Sequence, residues 1–363
     1  MEMSVNGYSS LWKAIIRPPK DDYSYEDLGP KRFLVNRREC KRTDVDIKNE
    51  RGFNLRCSHF EPADKTRPAK KLPCVIYLHG NCSSRVESLS TVRLLLSSNI
   101  TLFSFDFSGC GQSEGEYISL GWYEREDLKT VIEYLRGTET VATIGLWGRS
   151  MGAVTALLYA DRDPSIGGML LDSPFSSLKL LAEELCRKHT KVPGFVLSMA
   201  LKFVRKTIKN KASFDILELT PIKNVENCFI PALFGVADQD DFIDPHHGQD
   251  LYDKYSGDKN IIRFEGDHNS ERPSFLYDSA LIFFLNTLQV DAVVKEQLGE
   301  EVKVDLVESK GGAGEKEFQP SREESHNLVD NGLDFGADFL DLQPDAEEED
   351  EEMKMAILES LRL

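Results

Sequence analysis

Gly148-Arg149-Ser150-Met151-Gly152 is the segment of this chain whose residue types and spacing point most directly to covalent chemistry. It follows a short apolar run, 142–147, and precedes small apolar residues suited to a helix, 151–160. A serine at such a strand-to-helix elbow is forced into a strained backbone geometry, and glycines two residues to either side remove side chains that would clash. Its hydroxyl then stands at the carboxyl end of a sheet, beside a helix N-terminus. The predicted role of Ser150 is nucleophilic attack on a carbonyl. The bland alternative is a tight turn with a solvent-facing serine.

A serine nucleophile needs a base and an orienting acid, and for an elbow serine the chain order is Ser, acid, His. Five histidines follow Ser150: His189, His246, His247, His268 and His326. His326 falls in an acidic C-terminal stretch, His189 in an insertion, and His246-His247 at the start of a helix. His268, in Gly266-Asp267-His268-Asn269 directly after the apolar run 260–265, is the expected general base. The alternative is a turn residue. The acid is expected in the loop after 231–236, which carries Asp238, Asp240, Asp241 and Asp244. Asp240 lies three residues before Ile243, which can anchor the loop inward while the carboxylate faces the histidine. Asp238 and Asp241 are its rivals. The oxyanion of an acyl-transfer intermediate needs backbone N–H donors. Those expected are Met151, next to the nucleophile, and Asn81, in His79-Gly80-Asn81-Cys82.

The elements that must hold these residues are legible as alternating patterns. Apolar runs at 73–79, 100–106, 142–147, 167–172, 231–236 and 260–265 suit strands buried on both faces of a parallel sheet. Ahead of them, 43–50 and 53–61 read as an antiparallel pair turned at 50–52. Residues 121–136, 151–160 and 275–288 have helical spacing. The predicted fold is α/β, with a mostly parallel eight-stranded sheet flanked by helices. Between 172 and 231 lie about 58 residues, too many for one helix and a loop. The window 176–226 carries ten Lys/Arg against five Asp/Glu and reads as a helical insertion, either a lid or a pair of surface helices.

Charge divides the chain. Of 61 acids and 44 bases, residues 291–363 hold 22 acids and 7 bases, a net of −15, while residues 1–290 are close to neutral. The expected organisation is one domain over 1–290 and a disordered acidic tail over 291–363. A body with no basic stripe gives no support for nucleic-acid binding. No run approaches the roughly 18 apolar residues of a membrane span. The first residues lack the apolar stretch of a secretory signal. Seven scattered cysteines with no CxxC pair argue for reduced thiols, a cytoplasmic location and no metal site. No cofactor is expected.

With these residues in place, the chain resembles the α/β-hydrolase superfamily, and within it the serine-aminopeptidase-like branch of intracellular hydrolases found in plants and protists. The resemblance rests on HGN at 79–81, DFSGCGQSEG at 106–115, GRSMG at 148–152, DSPFSSL at 172–178, the 238–245 loop and GDHNSERP at 266–273. It covers about residues 10–288. It implies the α/β-hydrolase fold, with Ser150 as nucleophile, Asp240 as acid and His268 as base. The expected function is a serine hydrolase that cleaves an ester, thioester or amide of a small acyl or peptide substrate through an acyl-enzyme. The alternative from another class is a non-catalytic adaptor on the same scaffold. That alternative draws on the C-terminus. Residues 349–361, EDEEMKMAILESL, resemble a ubiquitin-interacting motif, with Met353, Ala356, Ile357 and Ser360 on one helical face as expected ubiquitin contacts.

Overall fold

Alternation of apolar runs and helical stretches becomes a single sheet covered on both faces. The computed structural model describes residues 12–13, 15–189 and 194–298. Its strands are β1 (Arg32–Val35), β2 (Arg38–Lys48), β3 (Asn54–Pro62), β4 (Leu72–Leu78), β5 (Thr101–Phe105), β6 (Val141–Arg149), β7 (Gly168–Asp172), β8 (Ala232–Ala237) and β9 (Lys259–Phe264). Their order across the sheet is β1-β2-β3-β5-β4-β6-β7-β8-β9. The pairs from β1 to β5 through β3 are antiparallel, and all others are parallel.

The sheet has nine strands among the described residues, one more than the eight expected. The addition is β1, four residues at the sheet edge of which only Val35 is buried. So short and exposed a segment has no periodicity to reveal it.

Helices follow in chain order: α1 (Leu89–Ser97), α2 (Glu124–Gly137), α3 (Met151–Ala160), α4 (Leu178–His189), α5 (Gly194–Ala212), α6 (His246–Lys254) and α7 (Ser274–Thr287). Strand side chains alternate between faces, so β4 supplies both layers. Cys74, Ile76 and Leu78 pack in one core with Leu128, Ile132 and Leu157 of α2 and α3. Val75 and Tyr77 pack in the other with Leu95 of α1 and Phe284 of α7. Burial on both faces explains why β4, β5, β7 and β8 are apolar nearly throughout.

The long connection between β7 and β8 carries α4 and α5, followed by three short 3-10 turns. Leu181 and Leu185 of α4 and Val204 and Ile208 of α5 join the main core. At the other end, residues 290–298 are helical. Gln297 accepts a hydrogen bond from the backbone N–H of Lys71 at 2.8 Å and donates to its carbonyl at 2.7 Å. The folded body therefore runs past the boundary expected at 290. The segment 349–361, with Met353, Ala356, Ile357 and Ser360, lies outside the described residues. No helix among the described residues is long and apolar enough to cross a membrane.

Candidate active site

Parallel strands end on the same side of the sheet, and loops leaving those ends converge. Ser150 stands where β6 turns into α3. Its backbone has φ 51° and ψ −114°, a conformation that a side chain adopts only under strain. The turn is tight enough to exclude side chains from its neighbours. A Cβ on Gly152 would come within 1.9 Å of the Leu78 carbonyl oxygen, and one on Gly148 within 2.5 Å of the Ala153 nitrogen. The Ser150 N–H donates to the Asp172 carbonyl at 2.8 Å, which fixes the elbow to the end of β7.

The structure brings Ser150, His268 and Asp240 into one chain of hydrogen bonds. His268 Nε2 is 3.1 Å from Ser150 Oγ, and His268 Nδ1 is 2.7 Å from Asp240 Oδ2. The remaining oxygen of Asp240, Oδ1, accepts the backbone N–H groups of Phe242 at 3.0 Å and Ile243 at 2.7 Å. An ionised carboxylate only accepts, so it draws the ring proton to Nδ1 and leaves the Nε2 lone pair toward the serine hydroxyl. All three residues are buried, at 8%, 6% and 5% exposure in that order, so their interactions are poorly screened by water. Ile243 is buried in the core. Asp238 instead faces outward and pairs with Arg263 at 2.8 Å, and Asp241 is exposed.

The loop after β4 passes close to the nucleophile. A Cβ on Gly80 would lie 3.9 Å from that of Ser150, so the residue before Asn81 packs against the elbow. Two braces hold this loop. The Gly80 N–H donates to Glu87 Oε2 at 3.2 Å. Buried His79 contacts the Gly80 carbonyl through Nδ1 at 2.7 Å and accepts the Phe107 N–H at Nε2 at 3.2 Å. An imidazole used at both nitrogens is a brace and not a base. Met151 begins α3, so its N–H belongs to the unpaired first turn of a helix.

Two arginines hold the histidine loop, and sequence reasoning gave neither a role. Arg272 donates to Asp172 Oδ2 at 2.8 Å through Nε, to the His268 carbonyl at 3.0 Å through Nη2 and to the Ser270 carbonyl at 2.7 Å through Nη1. Arg149 reaches the same His268 carbonyl at 3.1 Å. Burial pushes the Asp172 carboxyl upward, but the Arg272 and Arg149 guanidinium groups outweigh it and hold the group below the usual carboxylate range. The signal was present. Asp172 ends β7 and Arg272 lies in the loop between β9 and α7, both within motifs that carry the resemblance.

His246 and His247 open α6 and meet Glu184 of α4, not the serine.

Comparison with known proteins agrees with this architecture. The family model described as serine aminopeptidase, S33, matches residues 69–218. An uncharacterized protein of Bacillus subtilis, YqkD, is 29% identical over 234 residues, covering 63% of this chain and 74% of its own. Human monoglyceride lipase is 28% identical over 188 residues, 48% of this chain and 58% of its own. Among solved structures, the Pyrococcus furiosus esterase Pf2001 superposes with a TM-score of 0.57 at 20% identity, covering 75% of this chain and 98% of that one. Acetyl xylan esterase 1 from Thermoanaerobacterium gives 0.53 at 18%, covering 79% and 99%. The shared architecture and the strained serine elbow at the end of β6 give this chain the α/β-hydrolase fold, and residues 69–218 are similar to the serine aminopeptidase, S33, family.

Proposed function

We propose that this protein is a serine hydrolase that cleaves an ester, thioester or amide through an acyl-enzyme on Ser150. The observation that carries the reading is the unbroken hydrogen-bond chain from Asp240 through His268 to Ser150, at 2.7 and 3.1 Å, behind a strained elbow. A scaffold that only binds partners has no need of that chain or of that strain. His268 Nε2 takes the hydroxyl proton as Ser150 Oγ attacks the carbonyl carbon. The N–H groups of Met151 and Asn81 are the assigned donors to the developing oxyanion. The imidazolium then returns its proton to the leaving group, and the carbonyl re-forms as an acyl-enzyme. Water, deprotonated by His268, releases the acid and restores Ser150. Asp240 stays ionised and stabilises the imidazolium throughout.

Among the three bonds, esters are the favoured substrates, because the named relatives and structural neighbours include a lipase and several esterases. A cytoplasmic location is part of the proposal. None of the seven cysteines is joined in a disulfide, as expected in a reducing compartment.

The test is labelling with a fluorophosphonate, which reacts only with an activated serine. Wild type is expected to label, Ser150→Ala not at all, and His268→Ala at a small fraction of the wild-type rate. Labelling that persists in Ser150→Ala overturns the assignment, and a wild type that never labels leaves the adaptor reading in its place. A panel of acyl esters, acyl thioesters and amino-acid amides then ranks the substrate classes.

A further inference from the structure

Glu184, His246 and His247 converge although 62 residues separate the glutamate from the first histidine. His246 Nε2 is 2.9 Å from Glu184 Oε1, and His247 Nε2 is 2.9 Å from Glu184 Oε2. One donor atom from each of the three lies within 4.8 Å of the others. The two imidazoles stack, with ring centroids 4.4 Å apart. We propose that these three side chains form a binding site for a zinc-class divalent transition metal, which clamps the helical insertion to the loop carrying Asp240.

The chemistry of the donor set fits. Two imidazoles and one carboxylate make a set that such ions prefer, with room for water at a further position. Metal-bound imidazoles carry their proton on the other ring nitrogen, and that proton needs an acceptor. Both acceptors are in place. His246 Nδ1 is 3.0 Å from Asp250 Oδ2, and His247 Nδ1 is 2.7 Å from Ser176 Oγ. The Ser176 amide, 3.2 Å from the same nitrogen, gives up that longer contact. An ion replaces the ring hydrogens now shared with Glu184, so the three donors need only small adjustments. His247 is fully buried while His246 is 39% exposed on its side chain, which leaves an entry path from solvent.

The position gives the site a consequence. Glu184 lies on α4 of the insertion, and His246 begins α6 directly after the 238–245 loop. Lys188 on the same face of α4 already touches that loop, at the Asp241 carbonyl (3.3 Å) and at Asp244 (3.5 Å). A bound ion would add a far stronger cross-link between the two segments. The sequence shows no tight ligand cluster, because only the fold brings Glu184 to the histidine pair.

The test uses the full-length protein, freed of metal by chelation. Titration with Co²⁺ is expected to give the visible absorption of a four- or five-coordinate imidazole complex, bleached by equimolar Zn²⁺. Zn²⁺ at a hundredfold excess over its Kd is expected to raise the melting temperature by on the order of 5 °C. Glu184→Gln and His246→Gln should each weaken Zn²⁺ binding at least ~10²-fold. Asp250→Asn removes only the support of His246, on an exposed surface, and should weaken it about tenfold with the fold intact. No Co²⁺ spectrum at millimolar metal overturns the proposal. So does undiminished Zn²⁺ affinity in His246→Gln and Asp250→Asn, which would assign the metal to carboxylates elsewhere in this acidic chain.

Discussion

Arg272 and Asp172 form a buried ion pair, Nε to Oδ2 at 2.8 Å, that joins the loop of the base to the strand beside the nucleophile. Asp172 also receives the Ser150 N–H on its backbone carbonyl. Arg272 also donates to the carbonyl of His268. One pair thus touches the backbones of both residues whose side chains must meet at 3.1 Å.

Arg272 is therefore a positioning residue, and its variants should separate geometry from folding. Arg272→Met leaves Asp172 charged and buried without its ion-pair partner, with the Ser173 hydroxyl at 2.9 Å and the more distant charge of Arg149 still acting on it, a loss of about 3–5 kcal/mol for a pair of this kind. Arg272→Lys restores the charge but not the fork that reaches Asp172 and the His268 carbonyl together. The lysine variant should recover most of the melting temperature while kcat stays on the order of 10²-fold low with KM little changed. A lysine variant with wild-type kcat would show that the arginine serves stability alone.

Asp240→Asn tests the acid. The amide oxygen can still accept the N–H groups of Phe242 and Ile243, so the loop should hold. The amide nitrogen then faces His268 Nδ1 and forces the proton onto Nε2, toward the serine. Turnover should fall on the order of 10⁴-fold, as for the corresponding change in serine proteases, with the melting temperature nearly kept. Asp238→Asn loses only an exposed pair with Arg263 and should leave turnover within about twofold. The reverse ranking would move the acid to Asp238.

Acid should weaken the Arg272–Asp172 junction only below the ordinary carboxylate range. The Asp172 carboxyl titrates below its ordinary value of 3.8 in the folded protein. A depressed pKa means that the folded state holds fewer protons, so the contribution is full above the unfolded value and is lost as pH falls through the folded one. The stability difference between wild type and Asp172→Asn should be constant near neutrality. It should shrink as pH drops below about 4. Urea unfolding at several pH values measures it, and a difference that does not change with acid would contradict the assigned shift.

The parts legible in the sequence were those set by local rules. Buried parallel strands read as apolar runs, and the elbow read as two glycines around a serine between a strand and a helix. Asp240 was singled out among four aspartates because Ile243 had to point inward, and Ile243 is indeed buried. What stayed hidden depends on residues far apart in the chain. Arg272 meets Asp172 across 100 positions, and Glu184 meets His246 across 62. Nothing in either segment alone names its partner. Edge strand β1 was missed for the opposite reason, since four residues with one buried side chain are too few to show a period.

The acidic stretch gives a prediction that depends on where the body ends. Val290 is buried with Leu288 in the second core, and Gln297 bonds both backbone groups of Lys71. A chain cut after 298 keeps these contacts, so its melting temperature and its turnover of a small ester should match the full-length protein. A chain cut after 290 loses the Gln297 pair, two hydrogen bonds worth roughly 1–3 kcal/mol together, and should melt a few degrees lower. Equal melting of all three would show that 291–298 adds nothing, and a marked drop on cutting after 298 would place part of 299–363 against the body. Ubiquitin recruitment, if the 349–361 motif performs it, should vanish in both truncations. Binding by one short helix that must order itself is weak, so the assay is NMR of labelled ubiquitin at up to millimolar partner. Wild type is expected to shift ubiquitin resonances. Ala356→Gln sets a long polar side chain where an apolar patch has to approach, keeps every acid in place, and should abolish the shifts. Shifts of equal size in Ala356→Gln would mean that the acid block alone attracts ubiquitin, and no shifts in wild type would leave the stretch as a charged extension with no such partner.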